Sequence, residues 1–401
     1  MSYRYDFIKR TNGSISNLDN LSEALGIPLS DLFKILEFSD EEKYLKFEIP
    51  KSDGRKRTVY NPHQIVRLVQ RRINSRIFHP KQSKGGLITW PSYLFGSIPN
   101  DPHSVAAFDG RDYVSCASMH CSSKSILKMD ISDFFDNIHR NQVVKLFTNL
   151  LKFPNEVSNA LADICCHKGT VVQGALTSSY IASAILFDVE PNLVRKLHEK
   201  NLTYTRLVDD ITISSKVHDY NFSYAKSLVI KMLHEKGLPN NENKTIILST
   251  SASDALVHGL RVSFKEPRLP SGEIAKIRAN VQHVERFAQD PIFRTSRDYR
   301  KIYNRCLGRV NRLKQLGHNQ HENLKTRLNR IKPKPCRSDI KKARRLVCKL
   351  EHLYVEYGEG FGYRRIYNKA LYELNILGRT FKLTADSLRH RLKKVKPKYE
   401  Q

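Results

Sequence analysis

The stretch Thr203-Tyr-Thr-Arg-Leu-Val-Asp-Asp-Ile-Thr-Ile-Ser214 constrains this chain more than any other. Asp209 and Asp210 stand between two runs rich in β-branched and aromatic residues, and the runs on either side, Leu202–Val208 and Ile211–Ser214, read as strands. Strand, acidic turn and strand make a hairpin that carries two carboxylates at its tip. Crowding like charges costs free energy unless a cation neutralises them. This stretch alone leaves two readings open: a divalent-metal site, and a solvated Asp-Asp turn.

The chain has 401 residues, enough for two or three domains with substantial cores. Lys and Arg number 68 against 40 acids, a formal net charge of +28 that is not confined to one tail. Such an excess points to a polyanionic partner, and nucleic acid above all. The cysteines include no Cys-x-x-Cys pair, which argues against a disulfide framework or a zinc ribbon. The opening Met1-Ser-Tyr-Arg-Tyr-Asp6 lacks the apolar segment of a signal peptide, and no apolar run approaches the ~18 residues that span a bilayer. A cytoplasmic protein with no membrane contact is expected.

Ahead of the acidic stretch, Ser16–Leu36 reads as two short amphipathic helices. Phe47–Tyr60 reads as a hairpin turning at Ser52-Asp53-Gly54, with Arg55, Lys56 and Arg57 opening its second strand. Gln64–Phe78 follows as a helix with a cationic face, and Asp112–His120 as a shorter one. Ser125–Ile131 reads as a buried strand ending at Asp130, and the end of a core strand is a common place for chemistry. Asn155–Cys166 is a helix, and Gln173-Gly174 opens a long one running to about Lys200. Asn221–Lys236 is a helix closed by Gly237, and Glu242–Ser249 and Val257–Phe264 are strands. From Glu273 onward the pattern is helical and basic.

That helical tail repeats itself. Tyr299-Arg-Lys-Ile-Tyr-Asn304 returns as Tyr363-Arg-Arg-Ile-Tyr-Asn368, and the match runs on through Leu313/Leu377, Arg327/Arg391 and Leu328/Leu392. With a two-residue slip, Ile274, Val281 and Glu285 match Ile340, Val347 and Glu351. A duplicated helical module is expected, over about 273–334 and 339–398.

Asp130 and Asp209, on adjacent core strands, can together hold a pair of divalent ions about 4 Å apart. Mg²⁺ suits such a site, because it takes few protein carboxylates and completes its shell with water and phosphate oxygens. The basic surface then has a use, which is to hold a nucleic-acid backbone beside the ions.

At this point the chain resembles the bacterial reverse transcriptases of the retron and defence-associated type. Leu127-Lys-Met-Asp-Ile-Ser-Asp-Phe-Phe-Asp-Asn-Ile138 resembles their first catalytic motif, and Gln173-Gly-Ala-Leu-Thr-Ser178 their Gln-Gly-x-Pro-Thr-Ser loop. Tyr204-Thr-Arg-Leu-Val-Asp-Asp210 is similar to Tyr-Thr-Arg-Tyr-Ala-Asp-Asp, and the segment from Gly237 to Asn243-Lys-Thr245 to the next motif. Cys116-Ala-Ser-Met-His120 and Val257-His-Gly259 resemble the Asn-Ala-x-x-His and Val-Thr-Gly elements of retron enzymes, each with one change. Other departures are Leu207-Val208 for Tyr-Ala, Leu176 for Pro and Ser179 for a second Pro. The first of these implies altered handling of the primer terminus.

The resemblance implies an α+β right-hand polymerase with an all-helical, internally duplicated C-terminal region. It divides into an N-terminal helical segment (1–50), fingers (51–125), a palm with interspersed fingers elements (126–265), a thumb (266–335) and a second thumb-like repeat (336–401). It implies an RNA-directed DNA polymerase, with Asp130, Asp209 and Asp210 as catalytic residues. These three carboxylates and Ile131 would bind two Mg²⁺ ions, or Mn²⁺ in their place. Arg57 would contact the triphosphate, and Gln173 and Gly174 would line the nucleotide pocket. Phe135 would exclude a 2′-hydroxyl, and Ile131 and Lys244 complete the substrate-binding set. Implied partners are an RNA template or non-coding RNA, the DNA product, dNTPs, and an effector or second reverse transcriptase in a homo- or hetero-oligomer. The implied setting is antiphage defence. The rival readings are template-independent or protein-primed synthesis by the same site, and a non-catalytic RNA-binding scaffold.

Overall fold

The computed structural model describes residues 3–9, 13–50, 54, 56–78, 87–100, 110–249, 255–358 and 360–397. Ser52, Asp53 and Arg55 of the expected basic hairpin, and Lys398 at the end of the repeat, lie outside the described residues. The chain separates into two compact units, Met1–Arg268 and Leu269–Gln401.

The first unit is built on a five-stranded sheet in the order Ile246–Ser249, Ser125–Asp130, Asp210–Ser215, Thr203–Leu207 and Leu94–Phe95. The first four strands run antiparallel to their neighbours, and Leu94–Phe95 joins parallel. Side chains alternate between the two faces of a strand, so the register sorts them. Ile211 lies opposite Met129 and Arg206, and Ile213 opposite Leu127 and Tyr204. This face joins the main core with Ile181, Leu193, Leu197 and Val229 from the helices Ser178–Ala184, Glu190–Glu199 and Ser223–Glu235. The opposite face is polar yet buried. It carries Thr205, Thr212 and Ser214, all about 1% exposed or less.

Three expected elements differ. The helix expected to run from the Gln-Gly step to Lys200 is two helices, Ser178–Ala184 and Glu190–Glu199, because Pro191 lacks an amide hydrogen and clashes with a preceding turn. The expected strand Val257–Phe264 is a small hairpin pairing Val257 with Leu260, since His258 and Gly259 adopt φ +49° and +76° and turn the chain. Glu242–Lys244 is a 3-10 turn, and the strand begins only at Ile246. Among the described residues, no helix is long and apolar enough to cross a membrane.

The second unit is all-helical and duplicated. Ser271–Ala288, Arg297–Gln315 and Gln320–Arg330 form one set of three, and Arg337–Tyr357, Phe361–Leu377 and Lys382–Lys394 the other. The same bonds occur in both. Tyr299 and Tyr363 each donate a hydroxyl to a carbonyl beyond the third helix, Ile331 O and Val395 O, at 2.6 Å. Arg327 clasps Glu285 at 2.8 and 2.6 Å, and Arg391 clasps Glu351 at 2.9 and 2.6 Å. The buried residues correspond as well: Val281 with Val347, Tyr303 with Tyr367, Leu324 with Leu388. The two sets are joined through Arg300, which reaches Asp339, and through Asn304, whose amide donates to the Tyr372 hydroxyl at 2.9 Å.

Candidate active site

Hydrogen-bond register brings the expected carboxylates together at one end of the two central strands. Asp210 is the cross-strand partner of Asp130, and Asp209 occupies the adjoining two-residue turn with Val208. Directly opposed residues share a sheet face with their Cβ atoms ~5 Å apart, so Asp130 and Asp210 are neighbours on the polar face. The turn is pinned from the other strand, because the Ile131 amide donates to the Asp209 carbonyl at 3.2 Å. Val208 has φ +60°, a left-handed conformation that a β-branched residue seldom adopts. The space for its side chain comes from Gly96, where a Cβ would lie 2.8 Å from Val208 Cγ2.

The electrostatics reflect this crowding. Burial pushes the Asp209 carboxyl above its ordinary range, and Asp130 pushes it further. Asp210 is pushed up to about 6, by burial first and then by Asp209 and Asp130. Arg57 and Lys244 pull Asp209 back, which puts both cations within electrostatic reach of the site. Lys244 Nζ lies 3.0 Å from Asp130 Oδ2, and this contact raises the lysine above its usual value.

Among the described residues, no group of three or more His, Cys, Asp or Glu side chains forms a metal cage complete in itself. The donor set still fits Mg²⁺. That ion uses one or two carboxylates and takes its other oxygens from water and substrate phosphate. Two opposed carboxylates that repel one another are the arrangement a cation relieves.

The Gln173-Gly174 loop is seated by the basic hairpin. Tyr60 N–H donates to Gln173 O at 2.7 Å. Gly174 has φ +105°, and a Cβ there would stand 2.2 Å from the Tyr60 carbonyl oxygen. Leu176, which replaces a proline of the family loop, uses the amide that proline lacks: its N–H donates to Gln70 Oε1 at 3.0 Å. Gln70 itself is fully buried, donating to the Tyr44 hydroxyl at 2.6 Å and to Ile164 O at 2.9 Å. Gly174→Ala is therefore expected to force the hairpin off the loop. It should cost about 2 kcal/mol or more in stability, and raise the KM for dNTP about tenfold or more. Urea unfolding and steady-state primer extension check the two parts. Phe135 is half-buried, packed against the core beside the buried Phe134.

Four residues at this site make contacts that the sequence does not announce. Asn241 grips Asp130 twice, its amide N–H on the Asp130 carbonyl at 2.8 Å and its Nδ2 on Oδ2 at 3.1 Å. Arg206, wholly buried on the apolar face, donates to both oxygens of the wholly buried Glu190 and to the carbonyls of Ala182, Ser183 and Val208. Its signal was present, since a charge inside an otherwise uncharged core strand needs a buried counter-charge. On the polar face, His258 Nδ1 lies 3.7 Å from Asp210 Oδ2. His120 of the Cys-Ala-Ser-Met-His element bonds Ser214 and Thr205 at 2.7 Å each, and burial pushes its pKa down to about 3.

Carboxylates gathered at one end of the two central antiparallel strands, with a basic hairpin seated on the Gln-Gly loop, define a right-hand nucleotide polymerase. Sequence comparison narrows this class. The family model for reverse transcriptase (RNA-dependent DNA polymerase) matches residues 49–254. Over 391 residues the chain is 44% identical to the retron Ec48 reverse transcriptase of Escherichia coli, covering 97% of this chain and 94% of that one. It is 32% identical over 403 residues to the retron Se72 reverse transcriptase of Salmonella heidelberg, covering 97% and 98%. The chain belongs to the reverse transcriptase family, in its retron branch, and is an RNA-directed DNA polymerase. Enzymes of this family use divalent metal ions.

Proposed function

We propose that Asp130, Asp209 and Asp210, with the carbonyl of Ile131, hold two Mg²⁺ ions, or Mn²⁺ in their place, and extend a primer with dNTPs. The observation that carries this reading is the register of Asp130 against Asp210 with Asp209 in the adjoining turn. When bound, the ions supply activation of the primer hydroxyl and neutralisation of the leaving pyrophosphate. The chain's own residues do the rest. Arg57 pairs with the triphosphate, Gln173 and Gly174 line the nucleotide pocket under the hairpin, and Phe135 closes the space a 2′-hydroxyl would need. Lys244 and Asn241 fix the orientation of the Asp130 carboxylate through its Oδ2.

In this reading residues 51–125 are fingers, 126–265 palm and 266–335 thumb, with 336–401 as a second thumb-like repeat whose basic helices add to the nucleic-acid surface. The enzyme works in the bacterial cytoplasm with a non-coding RNA and an effector partner, in antiphage defence. This rests on the retron relatives and on a net charge of +28. Purified protein with its co-purified RNA should incorporate labelled dNTPs on addition of Mg²⁺, and wild-type protein that incorporates nothing sinks the reading. In a phage challenge, Asp130→Ala is expected to abolish protection. Unchanged protection favours an RNA-binding scaffold instead.

A further inference from the structure

Two positions at which this chain departs from the retron elements, 142 residues apart in sequence, touch one another. Cys116 stands where the first element has Asn, and His258 where the second has Thr; Cys116 Sγ lies 3.3 Å from His258 Nε2. The other ring nitrogen, Nδ1, faces Asp210 Oδ2 at 3.7 Å. Cys116 is fully buried and the His258 side chain is 9% exposed, so bulk water does not compete for the thiol–imidazole contact, whereas the Asp210 side chain is 49% exposed and also meets solvent. The imidazole is held by its backbone too: His258 and Gly259 form the tight turn between Val257 and Leu260, and His is among the few side chains that accept φ +49°. Cys116 is anchored in the helix Tyr113–Ser118, and its thiol also lies 3.3 Å from the Thr205 hydroxyl.

We propose that Cys116 and His258 act as one positioning unit for the Asp210 carboxylate. A carboxylate only accepts hydrogen bonds, so it favours the tautomer with the proton on Nδ1. Nε2 is then an acceptor, and the Cys116 thiol, which also donates to the Thr205 hydroxyl at 3.3 Å, shares its single proton between the two. The thiol–Nε2 contact sets the orientation of the ring, and the ring edge at Nδ1, 3.7 Å from Oδ2 and so beyond direct hydrogen-bond length, bounds the position of the carboxylate. The imidazole reaches toward Asp210. Lys128, the other charged group whose field reaches both His258 and Asp210, sits on the neighbouring strand of the same face. The inference rests on the reading that Asp210 works at the polymerase centre.

The test is single-turnover incorporation of one dNTP by wild type, Cys116→Ala, His258→Ala, the double variant and His258→Asn. Each Ala variant is expected to lower the incorporation rate about tenfold while the Kd for dNTP stays within about twofold. The double variant should lose about tenfold and not about a hundredfold, because the two residues act as one unit. His258→Asn accepts the same backbone and places an amide N–H near the Nδ1 position, and should recover to within about threefold of wild type. Mn²⁺ uptake followed by electron paramagnetic resonance should weaken in the Ala variants and return in His258→Asn. Additive losses overturn the proposal, as do single variants within about twofold of wild type. So does an Asn variant no better than Ala. If thermal melting shows that His258→Ala does not fold, Cys116→Ala at the wild-type rate still overturns it. Asp209→Asn is the control: if it is inactive while the pair variants are unaffected, only the pairing fails, and if it is active the reading of the whole site fails.

Discussion

Asp209→Asn is expected to lower nucleotide incorporation by at least about a thousandfold while leaving the melting temperature at or above that of wild type. The two effects have one cause. Asp209 is held in a tight turn with its carboxyl raised by burial and by Asp130, so its ionised form is disfavoured in the metal-free protein. Asn keeps the shape and removes the charge, and with it a repulsion. It also removes one of the anionic donors proposed for the divalent ions. Primer extension on an RNA template, run beside differential scanning fluorimetry without divalent ions, separates the two. A variant that is inactive because it is unfolded would melt well below wild type. Incorporation equal to wild type would mean that the carboxylate is an ordinary turn residue.

Arg206→Met is expected to destabilise the protein by about 3–5 kcal/mol, without touching a reacting group. Arg206 and Glu190 both have fully buried side chains, so removing the guanidinium leaves a buried carboxylate with no counter-charge. It also strips donors from the carbonyls of Ala182 and Ser183, at the end of one helix, and of Val208 in the acidic turn. Adding Glu190→Gln to Arg206→Met should recover part of the loss, because it removes the stranded charge. Chemical denaturation of wild type, both single variants and the double gives the coupling. If the double is less stable than Arg206→Met, the stranded charge is not the origin of the loss. Because Arg206 supports the Val208 carbonyl, the folded fraction of Arg206→Met should also incorporate nucleotides more slowly.

Much of the fold was legible in the order of residues. Leu202–Val208 and Ile211–Ser214 read as strands because they are rich in β-branched and aromatic side chains, and the structure has strands at Thr203–Leu207 and Asp210–Ser215. Tyr299-Arg-Lys-Ile-Tyr-Asn304 and its copy announced a duplicated module, since helical periodicity keeps the same positions buried in both. The helix expected to reach Lys200 as one piece shows where such reading stops. Its apolar content was continuous, and one proline decided the break. The Val257–Phe264 run looked like a strand because a two-residue turn with left-handed backbone needs only Gly259 and a tolerant neighbour, a weak signal.

At the site, the sequence alone brought Asp130, Gln173-Gly174 and Asp209-Asp210 into a recognisable order, and with them the class of chemistry. Those are local signals: residue type, spacing and strand pattern. Only the tertiary structure decided that Asp210, and not Asp209, lies directly across from Asp130. Only it joined Arg206 to Glu190, Leu176 to Gln70 and Cys116 to His258. The reason is physical. Each of these contacts depends on which face of a strand or helix meets which, and that is set by the packing of the whole core. A one-residue change of register would send Asp130 to the other face of the sheet while leaving every local pattern intact.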